Sequence, residues 1–317
     1  MAPAVSIIVP TFNRLEFLPA AIESVFAQTF MDWELIVADD GSSGDTSSYL
    51  RSLADPPRVR VLWLAHSGKP GVARNAALNA AHGEFIAFLD SDDVWLPQKL
   101  ATQMQRLKLR PECRWSYTRF AQVDALGQPR VAANLRGFPA PCGWILEKLL
   151  REETVIALPS VVVSRELLQQ LGGFDAELAM CEDDDLWLRL AAESAIDGVD
   201  EALTLIRRHG QHSGSDIAAW QDRRRVFAKA LRAGAATQHR CLLRRLRAEM
   251  SAGLANSQAA SGERLGVLGT LCASVPYSWR YRAWWLGALI ATTRAFAPAG
   301  AQGLIRRYRH REIADRG

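Results

Sequence analysis

The chain lacks the features of a disulfide scaffold. Its five cysteines, Cys113, Cys142, Cys181, Cys241 and Cys272, are odd in number and scattered, with no CxxC pair. That excludes a disulfide framework and a thiolate zinc site, and it suits a reducing compartment. The opening MAPAVSIIVP has no basic segment, long apolar core or cleavage site of a secretory leader, so a cytoplasmic location is expected. In the apolar segment WRYRAWWLGALIATTRAFA, residues 279–297, the uninterrupted apolar stretch falls well short of the roughly 18 residues a spanning helix needs. No glycine follows the first apolar run in PTFNRLEF, where a Gly-rich basic loop would grip a triphosphate, and no Ser/His/Asp or Cys/His set stands out. Acids are scarce toward the C-terminus: residues 207–317 hold 20 Lys and Arg against 6 Asp and Glu, whereas residues 1–206 hold 18 against 28. An acidic body thus carries an Arg-rich tail, suited to anionic lipid, nucleic acid or the body itself.

With 317 residues, 49% hydrophobic and 23% charged, the composition is that of a folded protein with one large domain and an appendage, or two domains. Strand patterns at VSIIVP (5–10), ELIVADD (34–40), VRVLWL (59–64) and EFIAFLD (84–90) alternate with helical patterns at 15–28, 46–54, 71–81 and from Pro97. Nearly continuous apolar strands alternating with helices predict a parallel sheet covered on both faces, a doubly wound α/β fold. CRWSYTRFAQVD reads as a further strand, LGQP as a turn, GFPAPCGW as a loop, GWILEKLLREE as a helix and PSVVVS as a strand. Segments 216–235, 237–252, 257–275 and 279–297 read as helices, so the expected division is 1–210 and a helical region 211–317.

Ligands in such sheets bind beyond the carboxyl ends of the strands. Three polar segments fall there: PTFNR (10–14), ADDGSS (38–43) and DSDD (90–93). Asp residues ahead of VWLPQKL would also favour a helix N-terminus, but Asp90, Asp92 and Asp93 crowd at the end of a buried strand. Such carboxylates suit a hard cation, Mg2+ or Mn2+, with phosphate oxygens completing its shell. In ADDGSS, Gly41 and Ser42 serve a turn, while two adjacent acids exceed what a turn requires. One could accept a nucleobase N–H while the other orients the loop or meets a ribose. In AMCEDDDLWLRLA (179–191), Leu186, Trp187 and Leu190 share a helix face, and the acids suit the helix N-terminus. Four consecutive carboxylates also raise one another's pKa, as a general base requires. Gly71 begins a helix whose amides point toward the strand-end cleft, and Arg74 could add a charge-assisted phosphate contact.

Taken together, VSIIVPTFNR, ELIVADDGSSGDT, GVARNAALNAAHGEFIAFLDSDDVW and GGFDAELAMCEDDDLWLRLA resemble, in order and spacing over residues 4–210, the family 2 inverting glycosyltransferases of GT-A fold. The resemblance implies a nucleotide-sugar donor, commonly a UDP-sugar, and transfer with inversion, with 1–110 as the donor half and 111–210 as the acceptor half. Pro10, Thr11, Asn13 and Arg14 would line the nucleotide pocket, Asp40 would meet the base, and Gly71, Arg74, Asp90 and Ser91 would complete the donor site. Asp92 and Asp90 would form the DxD metal motif for Mn2+ or Mg2+. Asp183 would be the general base, with Glu182 beside it; the following position, often aromatic in that family, is Asp184. RRHGQHS (207–213) resembles the closing loop, placing His209 near the diphosphate or metal. A glycan or lipid-linked acceptor in cell-surface polysaccharide synthesis is expected. A sugar nucleotidyltransferase and a non-catalytic nucleotide-sugar or membrane-binding module are the competing readings. Trp279, Tyr281, Trp284 and Trp285 among arginines predict peripheral contact with an anionic membrane face. Nucleic acid is not an expected partner, because no recognition module accompanies the charge.

Overall fold

The computed structural model describes residues 2–53, 58–130, 140–209, 216–233 and 237–296. Parts of five expected segments lie outside them: residue 54 of the helical pattern at 46–54, the GFPAPCGW loop before residue 140, RRHGQHS beyond His209, residues 234–235 of the first tail helix and residue 297 of the last. The chain divides into two compact units, 1–212 and 213–317.

The first unit is built in the order β1 (Val5–Thr11), α1 (Leu18–Phe26), β2 (Trp33–Asp39), α2 (Gly44–Ser52), β3 (Val59–Trp63), α3 (Pro70–Ala80), β4 (Phe85–Phe88), β5 (Val94–Trp95), α4 (Lys99–Leu109), β6 (Cys113–Val123), α5 (Leu146–Leu150), β7 (Val161–Ser164), α6 (Arg165–Gln170), α7 (Glu182–Glu193) and β8 (Ala195–Arg207). Among the described residues the strands form one sheet ordered β3-β2-β1-β4-β7-β6-β8-β5. β1 pairs in parallel with both β2 and β4. The chain therefore runs outward from β1 to β3 and returns to its other side at β4, which makes the β1/β4 boundary a topological switch point. Val5, Ile7, Ile8, Val9, Leu35, Ile36 and Val37 are wholly buried, because helices cover both faces and every side chain of β1 and β2 meets protein. Proline in the first turns of α1 and α3 costs no hydrogen bond there and helps start both helices.

The sheet is more mixed than the strand pattern predicts. β7 is antiparallel to β4 and β6, and β5 is antiparallel to β8. β8 itself is not evident from IDGVDEALTLIRR, whose acids and glycine argue against a strand. Tertiary contacts overrule that pattern. Asp197, wholly buried, is held by Arg106 at 2.8 Å and Arg110 at 2.9 Å, and Gly198 lets the carbonyls of Ala140 and Pro141 approach to where a Cβ would collide.

Lys99, at the start of α4, is fully buried. Its Nζ donates to Gln103 Oε1 at 2.8 Å and lies 4.1 Å from the centre of the Trp95 ring. Burial pushes its pKa well below 10.5, since the ammonium has lost its water. The folded chain then binds fewer protons than the unfolded one below that pH, so folding stability should rise as pH climbs from 7 to 10. Lys99→Met is expected to stabilise the chain by about 1–4 kcal/mol at pH 7, as apolar replacement of buried charged groups can. Thermal melts check this; the gain should shrink toward pH 10.

The second unit packs α8 (Asp216–Arg232), α10 (Arg264–Ser278) and α11 (Arg282–Phe296) on α9 (Arg240–Ala260). Its inner contacts are small: Ala248, Ala252, Ala255 and Ala259 line one face of α9, against Ala288, Ala291 and Ala295. At Gly287 a Cβ would sit 2.6 Å from that of Ala252, so glycine sets how closely α9 and α11 approach. Val267, Leu271 and Trp284 complete this core, while other bulky apolar residues face outward, with Leu265 at 84%, Trp279 at 52%, Trp285 at 55% and Leu289 at 64% exposure. No helix of the described residues is long and apolar enough to cross a membrane.

Candidate active site

At the carboxyl ends of β1 and β2, Thr11 and Asp39 are register partners on adjacent strands. Both are buried, and Thr11 Oγ1 and Asp39 Oδ1 have no hydrogen-bond partner. Buried polar atoms are seldom left so, so two unmet acceptor positions side by side suit a ligand's N–H or O–H. The other oxygen, Asp39 Oδ2, accepts the Ser42 amide at 3.1 Å. Pro10 pairs with Ala38 through the strand register. Asn13, in the left-handed region at φ 49°, laces the two strand-end loops: its amide donates to Ser42 Oγ at 2.8 Å and its Oδ1 accepts the Ser43 amide at 3.0 Å. The Arg14 carbonyl accepts the amides of Phe17 and Leu18 and so begins α1.

Asp40 turns away from these groups. Its carboxylate accepts the amides of Ser67 at 2.8 Å and Gly68 at 2.9 Å, and His66 Nδ1 lies 3.0 Å away. It therefore fixes the loop after β3, and the unmatched oxygen belongs to Asp39. On that loop the His66 ring stacks on Phe12, centroids 4.0 Å apart, with Phe12 39% exposed. Sequence reading missed this pair, although an aromatic between Thr11 and Asn13, just past a strand end, was a signal for it.

The second cluster is centred on Arg74, buried on α3. Its Nη1 donates to Glu182 Oε1 at 2.6 Å and its Nη2 to Asp90 Oδ1 at 2.8 Å, while its Nε is buried with no partner. One guanidinium thus ties α3, the end of β4 and the first turn of α7. Gly71, buried at the start of α3, lies beside this cluster, where a Cβ would meet Phe174 at 3.4 Å and Glu182 at 3.6 Å, ordinary contact distances. Asp90 to Asp93 close a turn, with the Asp93 amide donating to the Asp90 carbonyl at 3.1 Å, and Ser91 is buried within it. Asp92 Oδ2 lies 2.8 Å from His209 Nε2, whose ring stacks on Phe17 at 4.8 Å. Arg207 reaches the Asp92 carbonyl at 2.9 Å, and its amide donates to Asp93 Oδ1 at 2.8 Å. The end of β8, a strand not evident in the sequence, and His209 just beyond it thus deliver the groups that embrace DSDD.

The electrostatics reflect this crowding. Burial raises the pKa of Asp90 and Asp93 against the counteracting Arg74 and Arg207, and the neighbouring carboxylates raise them further. Asp183, in the first turn of α7, is raised to about 7 by burial and then by Asp184 and Glu182. Asp185 is spoken for: it holds Arg189 at 2.7 Å, which in turn donates to the carbonyls of Leu171 and Gly173. Among the described residues no three His, Cys, Asp or Glu side chains group as a metal shell; of the expected set, Asp92 and His209 touch while Asp90 is engaged by Arg74. The donor chemistry at DSDD fits a hard divalent cation all the same, because carboxylate oxygens crowd there and a cation would relieve their repulsion.

Comparison with known proteins places these segments. The family model described as glycosyl transferase family 2 matches residues 6–126. The Escherichia coli protein named UDP-Glc:alpha-D-GlcNAc-diphosphoundecaprenol beta-1,3-glucosyltransferase WfgD is 33% identical over 196 residues, covering 62% of this chain and 73% of WfgD. An uncharacterized glycosyltransferase of Rickettsia felis is 31% identical over 206 residues, covering 65% of this chain but 33% of its own length, so the chain spans about a third of that relative. S. aureus TarS 1–349, crystallised in complex with UDP-GlcNAc, superposes with a TM-score of 0.68 at 21% identity, covering 93% of this chain and 88% of TarS 1–349; the likeness shows a shared GT-A fold. With the strand-end acids in the expected order and a relative matched over most of its length, the chain belongs to glycosyltransferase family 2.

Proposed function

We propose that this chain is a metal-dependent, inverting, hexosyltransferase-type enzyme that moves a sugar from a UDP-sugar to a glycan or lipid-linked acceptor in cell-surface polysaccharide biosynthesis. The observation that carries the reading is Asp183. Its carboxyl, raised to about 7, stands next to Glu182, which one guanidinium links to Asp90 at the strand ends.

The nucleobase stacks against Phe12, with Thr11 and Asp39 presenting their unmatched oxygens to its ring N–H, while Asp40 and Asn13 hold the surrounding loops. Pro10 and Arg14 complete this wall. Asp92 and Asp90 would hold Mn2+ or Mg2+, with His209 beside Asp92. When bound, the cation supplies positive charge for the departing diphosphate. Arg74 is already shared between two carboxylates, so its part is to position Asp90 and Glu182. Asp183 takes the proton from the acceptor hydroxyl as that oxygen attacks the anomeric carbon from the face opposite the leaving group. A single displacement inverts the configuration and needs no second nucleophile. The name of WfgD, which includes a diphosphoundecaprenol, supports a lipid-linked acceptor. A cytoplasmic enzyme resting on the inner membrane face would meet such an acceptor, and the outward Trp279, Trp285 and Leu289 of the second unit suit that setting.

Calorimetric titration with UDP, with and without Mn2+, tests the donor site. Binding should need the cation and weaken at least tenfold in Asp92→Ala, as loss of a ligand carboxylate implies. Equal affinity in all four combinations would sink the assignment.

A further inference from the structure

The second unit contains a pocket of about 270 Å³ lined by Arg232, Arg240, Arg244, Arg247 and Tyr277. Arg240, Arg244 and Arg247 are spaced to lie on one face of α9, and Arg232 comes from the last turn of α8. The neighbouring Arg245, on another face, is paired with Glu249 at 2.7 Å. None of the four pocket arginines has an ion pair among the described residues. Arg247 lies over Tyr277, its guanidinium carbon 3.9 Å from the ring centre, and its Nε is buried without a hydrogen-bond partner. Tyr277 is fixed in turn, its hydroxyl 3.0 Å from Ser251 Oγ. Four permanent charges around one cavity repel one another. The repulsion is sharpened because Arg240 opens α9, whose first turn has no acid to meet the positive end of the helix dipole.

We infer that this pocket binds a phosphate or diphosphate group, held by the four guanidinium groups with Tyr277 as its floor. Guanidinium forks match phosphate oxygens in pairs, and a diphosphate offers enough charge to offset several arginines at once. Two sources share this chemistry: the headgroup of a membrane phospholipid, and the diphosphate of a soluble or lipid-linked compound. The surroundings suit an amphiphile. From Arg264 to Phe296 the sequence has four arginines and no carboxylate, and Val275 and Trp279, two residues to either side of Tyr277, are 41% and 52% exposed. All of these groups belong to the second unit, so the inference stands or falls apart from the sugar-transfer chemistry.

The test uses the full chain in EDTA, which removes any cation-borne phosphate binding at the first unit. Inorganic pyrophosphate is titrated calorimetrically, and vesicles of phosphatidylcholine, with and without phosphatidylglycerol, are co-sedimented with the chain. The double variant Arg240→Gln/Arg244→Gln changes two exposed side chains, and circular dichroism checks that its helices persist. Arg245→Gln serves as the control for losing an arginine of α9 outside the pocket. The wild type and Arg245→Gln should bind pyrophosphate or the phosphatidylglycerol vesicles, and the double variant should bind at least about tenfold more weakly. Vesicle binding lost in the double variant, and displaced by pyrophosphate in the wild type, assigns the pocket to a lipid headgroup. Pyrophosphate binding lost while vesicle binding persists assigns it to a diphosphate compound. No binding by the wild type, equal binding by the double variant, or an equal loss in Arg245→Gln overturns the inference.

Discussion

Asp183→Asn is expected to lower kcat by about a hundred- to ten-thousandfold, the range that a positioned general base contributes, while leaving UDP affinity within a few fold. The asparagine keeps the shape of the side chain and cannot accept the acceptor proton. Because burial and its acidic neighbours push the Asp183 carboxyl up to about 7, wild-type activity should climb with pH through that value, where the carboxyl becomes the ionised base. Stability should move the other way. A carboxyl whose folded pKa lies above its ordinary 3.8 binds more protons in the folded chain than in the unfolded one between those values, so stability falls as pH rises from about 4 to about 7. Asp183→Asn removes that slope and should be more stable than the wild type at pH 8. A wild-type rate flat from pH 6 to 8, or a variant with a tenth or more of the wild-type kcat, would remove Asp183 from the role of base.

Arg74→Ala should produce the largest loss of stability, about 3–5 kcal/mol, because breaking a buried ion pair from one side leaves its partners uncompensated. Here two partners are stranded, Asp90 and Glu182, at contacts of 2.8 and 2.6 Å. Without the guanidinium both carboxyls favour the protonated form in the folded chain. The loss is therefore smallest at low pH, where the carboxyls are protonated in the folded and unfolded chain alike, and grows as pH rises above the ordinary carboxylate range. Adding Glu182→Gln should restore part of the stability without restoring the rate. Denaturant unfolding of the single and double variants at pH 5 and 8 measures this, and a loss below about 1 kcal/mol at pH 8 contradicts the bridging role.

How much of this could be read in the sequence depended on the range of the interaction. β1, β2 and β4 were legible because burial on both faces of a parallel sheet demands continuous apolar runs, as in VSIIVP, and the polar residues directly after such runs mark strand ends. The helices α3 and α7 carried local signs too, in Pro70 and in the acidic run at 182–185. β8 carried none. Asp197 is tolerable in that strand only because Arg106 and Arg110 meet it there, and a local pattern does not contain those partners. The division of labour between Asp39 and Asp40 was equally hidden, since it turns on where the amides of Ser67 and Gly68 lie.

The sequence by itself determined the alternation of strands and helices, the placement of PTFNR, ADDGSS and DSDD at strand ends, the acidic start of α7 and the basic character of residues 207–317. Each of these is set by neighbours within a few positions along the chain. Only the tertiary structure decided that Arg74 joins Glu182, 108 positions away, to Asp90, and that four arginines from two helices share one pocket. Charge interactions act through space and strengthen as water is excluded. The pKa of Asp183 and the unmet charge of the arginine pocket were therefore settled when distant segments were brought together and buried.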